Sequence, residues 1–129
     1  MPKKTDTNKV ILIVEDEQTL NEAYQMILQK SGYTVFAAFD GQEALDVAAQ
    51  ANPRLILLDL RMPRMDGIEF LRNYNLTEKH PDVKVIVFSN YDMQKEIDEA
   101  YRLGAERYIL KAWASPKELL QVVENTLTA

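Results

Sequence analysis

Five polar side chains stand directly after short apolar runs of the sequence, and their chemical types suit reactions of a phosphoryl group. Glu15 and Asp16 follow one run, Asp59 follows a second, and Ser89 and Lys111 follow two others. Carboxylates that lie side by side repel one another, so they need a nearby cation to stay ionised. Oxygen ligands of this kind suit Mg²⁺, which keeps several waters and shares its coordination shell with a phosphate. A carboxylate can also act as a nucleophile and form an aspartyl phosphate, while a lysine and a hydroxyl contact the phosphoryl oxygens.

The apolar runs predict buried strands of a parallel sheet, because they are short, rich in Val and Ile, and separated by helix-like segments. These strands are Val10–Val14, Leu55–Leu58, 85–88 and 108–110, and a less apolar run at 33–39 predicts a strand nearer an edge. Five helices are predicted to alternate with the strands, over 17–30, 40–51, from 66 onwards, 92–103 and 115 to about 127. In the fourth of these, the apolar spacing places Ile97, Ala100 and Tyr101 inward.

Regular alternation of strand and helix predicts a doubly wound α/β fold, a flavodoxin-like (βα)5 arrangement with a five-stranded parallel sheet covered on both faces. The first, third and fourth strands are the most apolar and therefore belong in the middle, which favours the order 2-1-3-4-5. In this order the first and third strands flank the switch point, where ligands bind outside the carboxyl ends of the strands. The three acidic residues are therefore expected to line a ligand crevice.

Composition predicts a single domain over residues 9–129, preceded by a disordered lead-in over residues 1–8. The absence of cysteine excludes disulfides and thiolate metal sites, and it agrees with a cytoplasmic location. A net charge of −5 argues against nucleic-acid contact by this domain. No apolar run approaches the roughly 20 residues of a membrane span, so no membrane association is expected.

One set of residues is shared with a known family: Glu15-Asp16, the run DLRMPRMDG at 59–67, Ser89, Tyr108 and Lys111. The set resembles the receiver domain of two-component response regulators, in its stand-alone, chemotaxis-regulator-like form. The resemblance covers the chain from Lys9 to the last predicted helix. Within it, the pattern Asp-x-x-Met-Pro-x-x-Asp-Gly is highly specific when it follows a strand and opens a helix.

The resemblance implies a phosphorylatable signalling switch rather than a metabolic enzyme. Asp59 would accept a phosphoryl group from the phosphohistidine of a histidine kinase or phosphotransfer protein. Asp16 and Asp59 would bind Mg²⁺ directly, with the backbone carbonyl of Arg61, while Glu15 would bind it through water. Mn²⁺ is the alternative metal.

The resemblance also assigns the residues that sense the phosphoryl group. Ser89 and Lys111 would hold its oxygens, and Tyr108 would turn inward when Ser89 engages it. This change would alter the face formed by the fourth predicted helix, the fifth strand and the fifth helix. An unknown downstream protein would bind there.

The sequence departs from the family pattern at three points. Lys111 is followed by Ala-Trp instead of the usual proline. Asn90 is bulkier than the small residue that usually follows the hydroxyl residue, so we expect it to crowd access to the phosphoryl group and to tune its hydrolysis. Arg61 and Tyr91 occupy the two positions that tune hydrolysis in receivers. Because both side chains are large, we expect them to shield an aspartyl phosphate from water.

Three other readings are compatible with parts of the pattern. The first is a pseudo-receiver that binds partners without phosphorylation; the missing proline favours it and the intact acidic cluster opposes it. The second is a metal-dependent phosphatase with an aspartyl nucleophile, which would need a second Asp at the position of Arg61. The third is a flavodoxin-like flavin binder, which is opposed because no phosphate-cradling loop follows the first strand.

Overall fold

A computed structural model describes residues 9–90, 93–111 and 114–128, which form a doubly wound α/β fold around one parallel sheet. The five strands are β1 (Val10–Val14), β2 (Thr34–Ala38), β3 (Leu55–Leu58), β4 (Lys84–Ser89) and β5 (Arg107–Leu110). Their order is β2-β1-β3-β4-β5. The predicted order and the edge position of β2 are therefore confirmed, and residues 1–8, predicted to be a disordered lead-in, lie outside the described residues.

Six helices occur in the described residues, one more than predicted. They are α1 (Gln18–Lys30), α2 (Gly41–Ala51), α3 (Gly67–Tyr74), α4 (Leu76–Lys79), α5 (Gln94–Arg102) and α6 (Pro116–Thr128). The additional helix, α4, is a single turn that begins because Asn75 adopts a left-handed conformation with φ 56° and ends α3. Asn tolerates that conformation better than most residues. The fourth and fifth predicted helices correspond to α5 and α6.

Polar residues begin three of the helices, as their sequences predict. Asp66 accepts a hydrogen bond from the Glu69 backbone at 2.9 Å, and the Glu69 carboxylate accepts one from the Asp66 backbone at 3.2 Å. Ser115 and Glu118 form the same reciprocal pair, at 3.2 and 2.8 Å. The Asp40 carboxylate accepts a backbone N–H of the first turn of α2 at 2.8 Å. Caps of this type contribute about 1 kcal/mol each and fix where the helices leave the sheet.

The central strands are buried on both faces, which explains why their sequences are continuous apolar runs rather than alternating patterns. One face carries Leu12, Val14, Ile56, Leu58, Val85 and Val87, which pack with residues of α2, α3, α4 and α5. The other face carries Ile11, Ile13, Leu55, Leu57, Ile86 and Phe88, which pack with residues of α1 and α6. The prediction that Tyr101 points inward is wrong, since its side chain is 47% exposed, whereas Ala100 is fully buried. None of the helices in the described part of the chain is long and apolar enough to cross a membrane.

Candidate functional site

The three predicted carboxylates lie together at the carboxyl edge of the sheet. Glu15 and Asp16 follow β1, and Asp59 follows the neighbouring strand β3. One carboxylate oxygen from each residue lies within 4.8 Å of the others. Glu15 and Asp59 are buried and Asp16 is exposed, so the cluster has one open side. This geometry is what the order of the strands requires, because β1 and β3 pair directly up to their last residues.

Lys111 reaches this cluster from the end of β5, the edge strand that is separated from β3 by β4. It follows β5, and its side chain spans the end of β4 so that Nζ donates to Glu15 Oε1 at 2.5 Å and to Asp59 Oδ2 at 3.2 Å. Only 9% of the lysine side chain is exposed. The ammonium is therefore a buried counter-ion that lies between two carboxylates.

Burial changes the titration of all three buried groups. It raises the pKa of Asp59 above 3.8 and that of Glu15 above 4.5, although the lysine works in the opposite direction at both. Burial alone would lower the pKa of Lys111, but its hydrogen bond to Glu15 and the charge of Asp59 outweigh it, so this pKa is raised. Three carboxylates and one ammonium leave a formal charge of −2, which an added divalent cation would balance.

The chemistry of the donor set fits Mg²⁺. All the side-chain donors are hard carboxylate oxygens, and they are close enough together to share one ion. Their small number suits a metal that keeps several waters.

Backbone groups hold the two buried carboxylates in place. The Arg61 N–H donates to Asp59 Oδ1 at 3.3 Å, and the Glu17 N–H donates to Glu15 Oε2 at 3.0 Å. Gly67 closes the loop after Asp59, and its N–H donates to the Leu60 carbonyl at 2.9 Å. A Cβ at this glycine would lie 2.5 Å from the Asp59 carbonyl oxygen, so a side chain there would displace the end of β3.

A second contact fixes the middle of the same loop and was not predicted from the sequence. Arg64 has φ 65°, a left-handed conformation that costs a non-glycine residue about 1–2 kcal/mol. Its guanidinium forms an ion pair with the buried carboxylate of Asp40, with Nε 2.9 Å from Oδ2. A backbone hydrogen bond at the start of α2 and then this arginine hold the pKa of Asp40 below 3.8. The loop is therefore tied to the first turn of α2.

The residues predicted to sense the phosphoryl group lie on β4, the strand next to β3, and on β5, the strand beyond it. Ser89 ends β4 and is fully buried, and β4 pairs with β3 on one side and β5 on the other. Tyr108 lies on β5 opposite Val87, is partly buried, and packs against the core face that includes α3 and α5. Both residues are therefore at positions from which a change at the carboxyl edge can reach α5 and β5.

The residues predicted to tune hydrolysis are less closely grouped. Arg61 directs its guanidinium towards α5, where Nη2 lies 3.1 Å from Glu96 Oε2. Asn90 is exposed after β4. Tyr91 lies outside the described residues, as do the Ala-Trp residues that follow Lys111.

Asn21 on α1 is a buried polar residue near the site that the sequence interpretation missed. Its side-chain amide donates to the Glu15 carbonyl at 2.9 Å and to the Ala38 carbonyl at 3.2 Å. The available signal is its spacing, because Asn21, Tyr24 and Leu28 recur at the interval of one helix face. A polar residue on the buried face of a helix needs partners, and here they are the ends of two strands.

Comparison with known sequences gives a consistent result. Residues 11–124 match the family described as the response regulator receiver domain. Sporulation initiation phosphotransferase F from Bacillus subtilis (strain 168) is 35% identical over 104 residues, which are 81% of this chain and 82% of that protein. Transcriptional regulatory protein DegU from Brevibacillus brevis is 34% identical over 114 residues, 86% of this chain. The chain spans about half the length of that regulator, 48%.

Solved structures agree with the sequence comparison. A CheY-like response regulator receiver domain protein from Methanospirillum hungatei JF-1 superimposes with a TM-score of 0.87, 29% identity and 95% coverage of both chains. The response regulator protein TrrA from Thermotoga maritima, in complex with Mg²⁺-BeF, has a TM-score of 0.78 and 30% identity. That comparison covers 91% of this chain and 97% of the other.

Proposed function

Because the chain belongs to the family of response regulator receiver domains, which are signalling switches, we propose that Asp59 is its phosphoacceptor. The observation that carries the proposal is the position of the Asp59 carboxylate. It lies 3.2 Å from the Lys111 ammonium and within 4.8 Å of the oxygens of Glu15 and Asp16. Receivers interact with histidine kinases or phosphotransfer proteins, so the donor is a phosphohistidine of such a protein.

The proposed transfer is a substitution at phosphorus. An oxygen of Asp59 attacks the phosphorus and a P–O bond forms, while the P–N bond to the donor imidazole breaks and its electron pair leaves with the nitrogen. The Arg61 N–H, 3.3 Å from Asp59 Oδ1, orients the carboxylate for this attack. The product is an acyl phosphate on Asp59.

The added negative charge requires positive charge at the same edge. Bound Mg²⁺, held by Asp16, Asp59 and the Arg61 carbonyl, with Glu15 through water, would neutralise charge on the transferred group. Lys111 already contacts Asp59, so its ammonium can pass from the carboxylate to a phosphoryl oxygen with little movement. The Ser89 hydroxyl contributes a further hydrogen bond to the phosphoryl group.

The output of the switch is a change of surface. We infer that Ser89 and Tyr108 carry the signal from the phosphoryl group to the face formed by α5, β5 and α6. Tyr108 packs against the core beside α5, so a rotation of its ring changes the packing under that helix. A downstream partner that prefers one arrangement shifts the equilibrium between the two.

Intact-mass measurement after incubation with acetyl phosphate and Mg²⁺ tests the proposal. The wild-type chain should gain the mass of one phosphoryl group, in an acid-stable and base-labile adduct, and Asp59→Asn should gain none. Asp66→Asn is the matched control, because Asp66 lies in the same loop region but caps α3, a role that Asn also fulfils. An adduct that persists in Asp59→Asn would contradict the assignment, and no adduct on the wild type would favour the pseudo-receiver.

A further inference from the structure

The side chain of Asn21 joins the ends of β1 and β2 beside the acidic cluster. Its amide group is fully buried on α1, and Nδ2 donates one hydrogen bond to the Glu15 carbonyl at 2.9 Å and one to the Ala38 carbonyl at 3.2 Å. A side-chain amide has two N–H donors on one nitrogen. Both donors are used, and each binds the end of a different strand.

The need for such a group follows from the way β1 and β2 separate. Their last aligned pair is Val14 with Ala38, after which the Glu15 N–H still donates to the Ala38 carbonyl at 3.1 Å. Beyond this point the two strands turn into different helices, so the carbonyl of the buried Glu15 residue lies past the ladder and needs another donor. Asn21 supplies that donor, and it also gives the Ala38 carbonyl a second hydrogen bond.

The orientation of the amide is set by its neighbour one helical turn later. Gln25 Nε2 donates to Asn21 Oδ1 at 2.9 Å, so the amide oxygen faces Gln25 and the amide nitrogen faces the two carbonyls. Every hydrogen-bonding group of the Asn21 side chain therefore has a partner, and the network permits one orientation of the amide.

We propose that Asn21 is a positioning residue for the divalent-cation site, and this inference rests on the proposed function. Both backbone polar groups of Glu15 are held: its N–H donates to the Ala38 carbonyl, and its carbonyl accepts from the Asn21 amide. That backbone sets the direction of the buried Glu15 carboxylate. It also sets that of Asp16, the next residue along the chain, whose side chain is exposed.

Loss of the amide should therefore weaken metal binding in a protein that is still folded. Asn21→Leu keeps a similar volume and the same charge but removes both donors. Calorimetric titration with Mg²⁺ should give a Kd about tenfold weaker than wild type, the size expected when a residue that orients metal ligands is lost. In phosphorylation by acetyl phosphate, the half-saturating Mg²⁺ concentration should rise by the same factor, while the rate at saturating Mg²⁺ stays close to that of wild type.

Two further variants separate positioning from stability. Thr126→Ala removes a buried side chain together with its hydroxyl hydrogen bond to the Val122 carbonyl, 2.7 Å long, about 15 Å along α6 from the edge that carries the site. It should lower the melting temperature and leave the Kd for Mg²⁺ unchanged. Gln25→Glu places a carboxylate against the Asn21 amide oxygen and favours the reversed amide, so it should weaken Mg²⁺ binding about threefold. Its added negative charge alone would strengthen binding.

Different results would contradict the positioning role of Asn21 and the proposed function of the chain. A folded Asn21→Leu that binds Mg²⁺ as tightly as wild type overturns the positioning role. If Asn21→Leu does not fold, unchanged binding in Gln25→Glu overturns it instead. A wild-type chain that binds no Mg²⁺ and accepts no phosphoryl group would contradict the proposed function itself.

Discussion

Replacing Asp59, the proposed phosphoacceptor, should make the protein more stable when Mg²⁺ is absent. Asp59 is buried beside two other carboxylates, and burial raises its pKa, which means that the fold disfavours the charged form. Asp59→Asn keeps the shape of the side chain and its hydrogen bond from the Arg61 backbone but removes the charge. We therefore expect Asp59→Asn to unfold at a higher temperature than wild type when Mg²⁺ is absent.

The size of the effect follows from the distances in the cluster. At an effective dielectric constant of about 20, each carboxylate within 4.8 Å repels Asp59 by about 3.5 kcal/mol or more. Exposed Asp16 is screened and contributes less, while Lys111 at 3.2 Å attracts Asp59 by about 5 kcal/mol. The charge interactions thus cancel to within about 2 kcal/mol, and the cost of burying the carboxylate, several kcal/mol before compensation, decides the sign. A net gain of about 2 kcal/mol corresponds to roughly 6 °C for a domain of this size.

Thermal unfolding with and without Mg²⁺, at several pH values, checks this reasoning. Mg²⁺ should raise the melting temperature of wild type more than that of Asp59→Asn. The pKa values of Glu15 and Asp59 in the folded protein are raised above their ordinary values of 4.5 and 3.8. The free energy of unfolding of wild type should therefore increase as the pH falls from neutral towards those ordinary values. The dependence on pH should be weaker in Asp59→Asn, which keeps only one of the two groups. If Asp59→Asn melts below wild type without Mg²⁺, the pair with Lys111 outweighs burial and the reasoning is wrong.

Three other perturbations test the remaining parts of the site. In calorimetry, Asp16→Ala should abolish Mg²⁺ binding more completely than Glu15→Ala, because the Glu15 carboxylate is expected to contact the ion only through water. Equal affinity for Mg²⁺ in Asp16→Ala and wild type would show that Asp16 is not a ligand. Shortening Arg61 and Tyr91 together to Ala should speed loss of the phosphoryl group about tenfold, which corresponds to about 1.4 kcal/mol of barrier. The decay of the phosphorylated mass with time measures this rate, and an unchanged rate would exclude shielding by these side chains. Gly67→Ala should lower both the melting temperature and the phosphorylation rate, because its Cβ would lie 2.5 Å from a backbone oxygen, and wild-type values for both would show that the loop can adjust.

The fold could be predicted almost completely because its main signals are local. Continuous apolar runs indicate strands that are buried on both faces, and residues such as Asp66 and Ser115 indicate where helices begin. The order of the strands followed from their relative hydrophobicity. The short helix α4 was missed because it depends on the left-handed conformation of Asn75 and the burial of Leu76, which a helical pattern does not reveal.

The sequence predicted which carboxylates lie together at the edge of the sheet, but it did not predict the contacts that hold the neighbouring loop in place. Glu15, Asp16 and Asp59 stand at strand ends, so the topology alone brings them together. The pair of Arg64 with Asp40 joins residues 24 positions apart, and no pattern in the sequence links them. Contacts of this kind arise from the packing of loops, and only the three-dimensional arrangement reveals them.

The position of Lys111 constrains the order of events at the site. Its ammonium donates hydrogen bonds to two carboxylates, so the three carboxylates and this lysine together carry a formal charge of −2. The proposed transfer to Asp59 would replace one carboxylate charge with a phosphoryl group that carries up to two. Lys111 could not neutralise this group and Glu15 at once. A divalent cation held by the carboxylates beforehand would bring the cluster to neutrality. It would leave the Lys111 ammonium available to the phosphoryl oxygens and reduce the repulsion that an incoming phosphoryl donor meets. Mg²⁺ should therefore have to bind before phosphorylation occurs. Without Mg²⁺, raising the concentration of acetyl phosphate should not restore the phosphorylation rate.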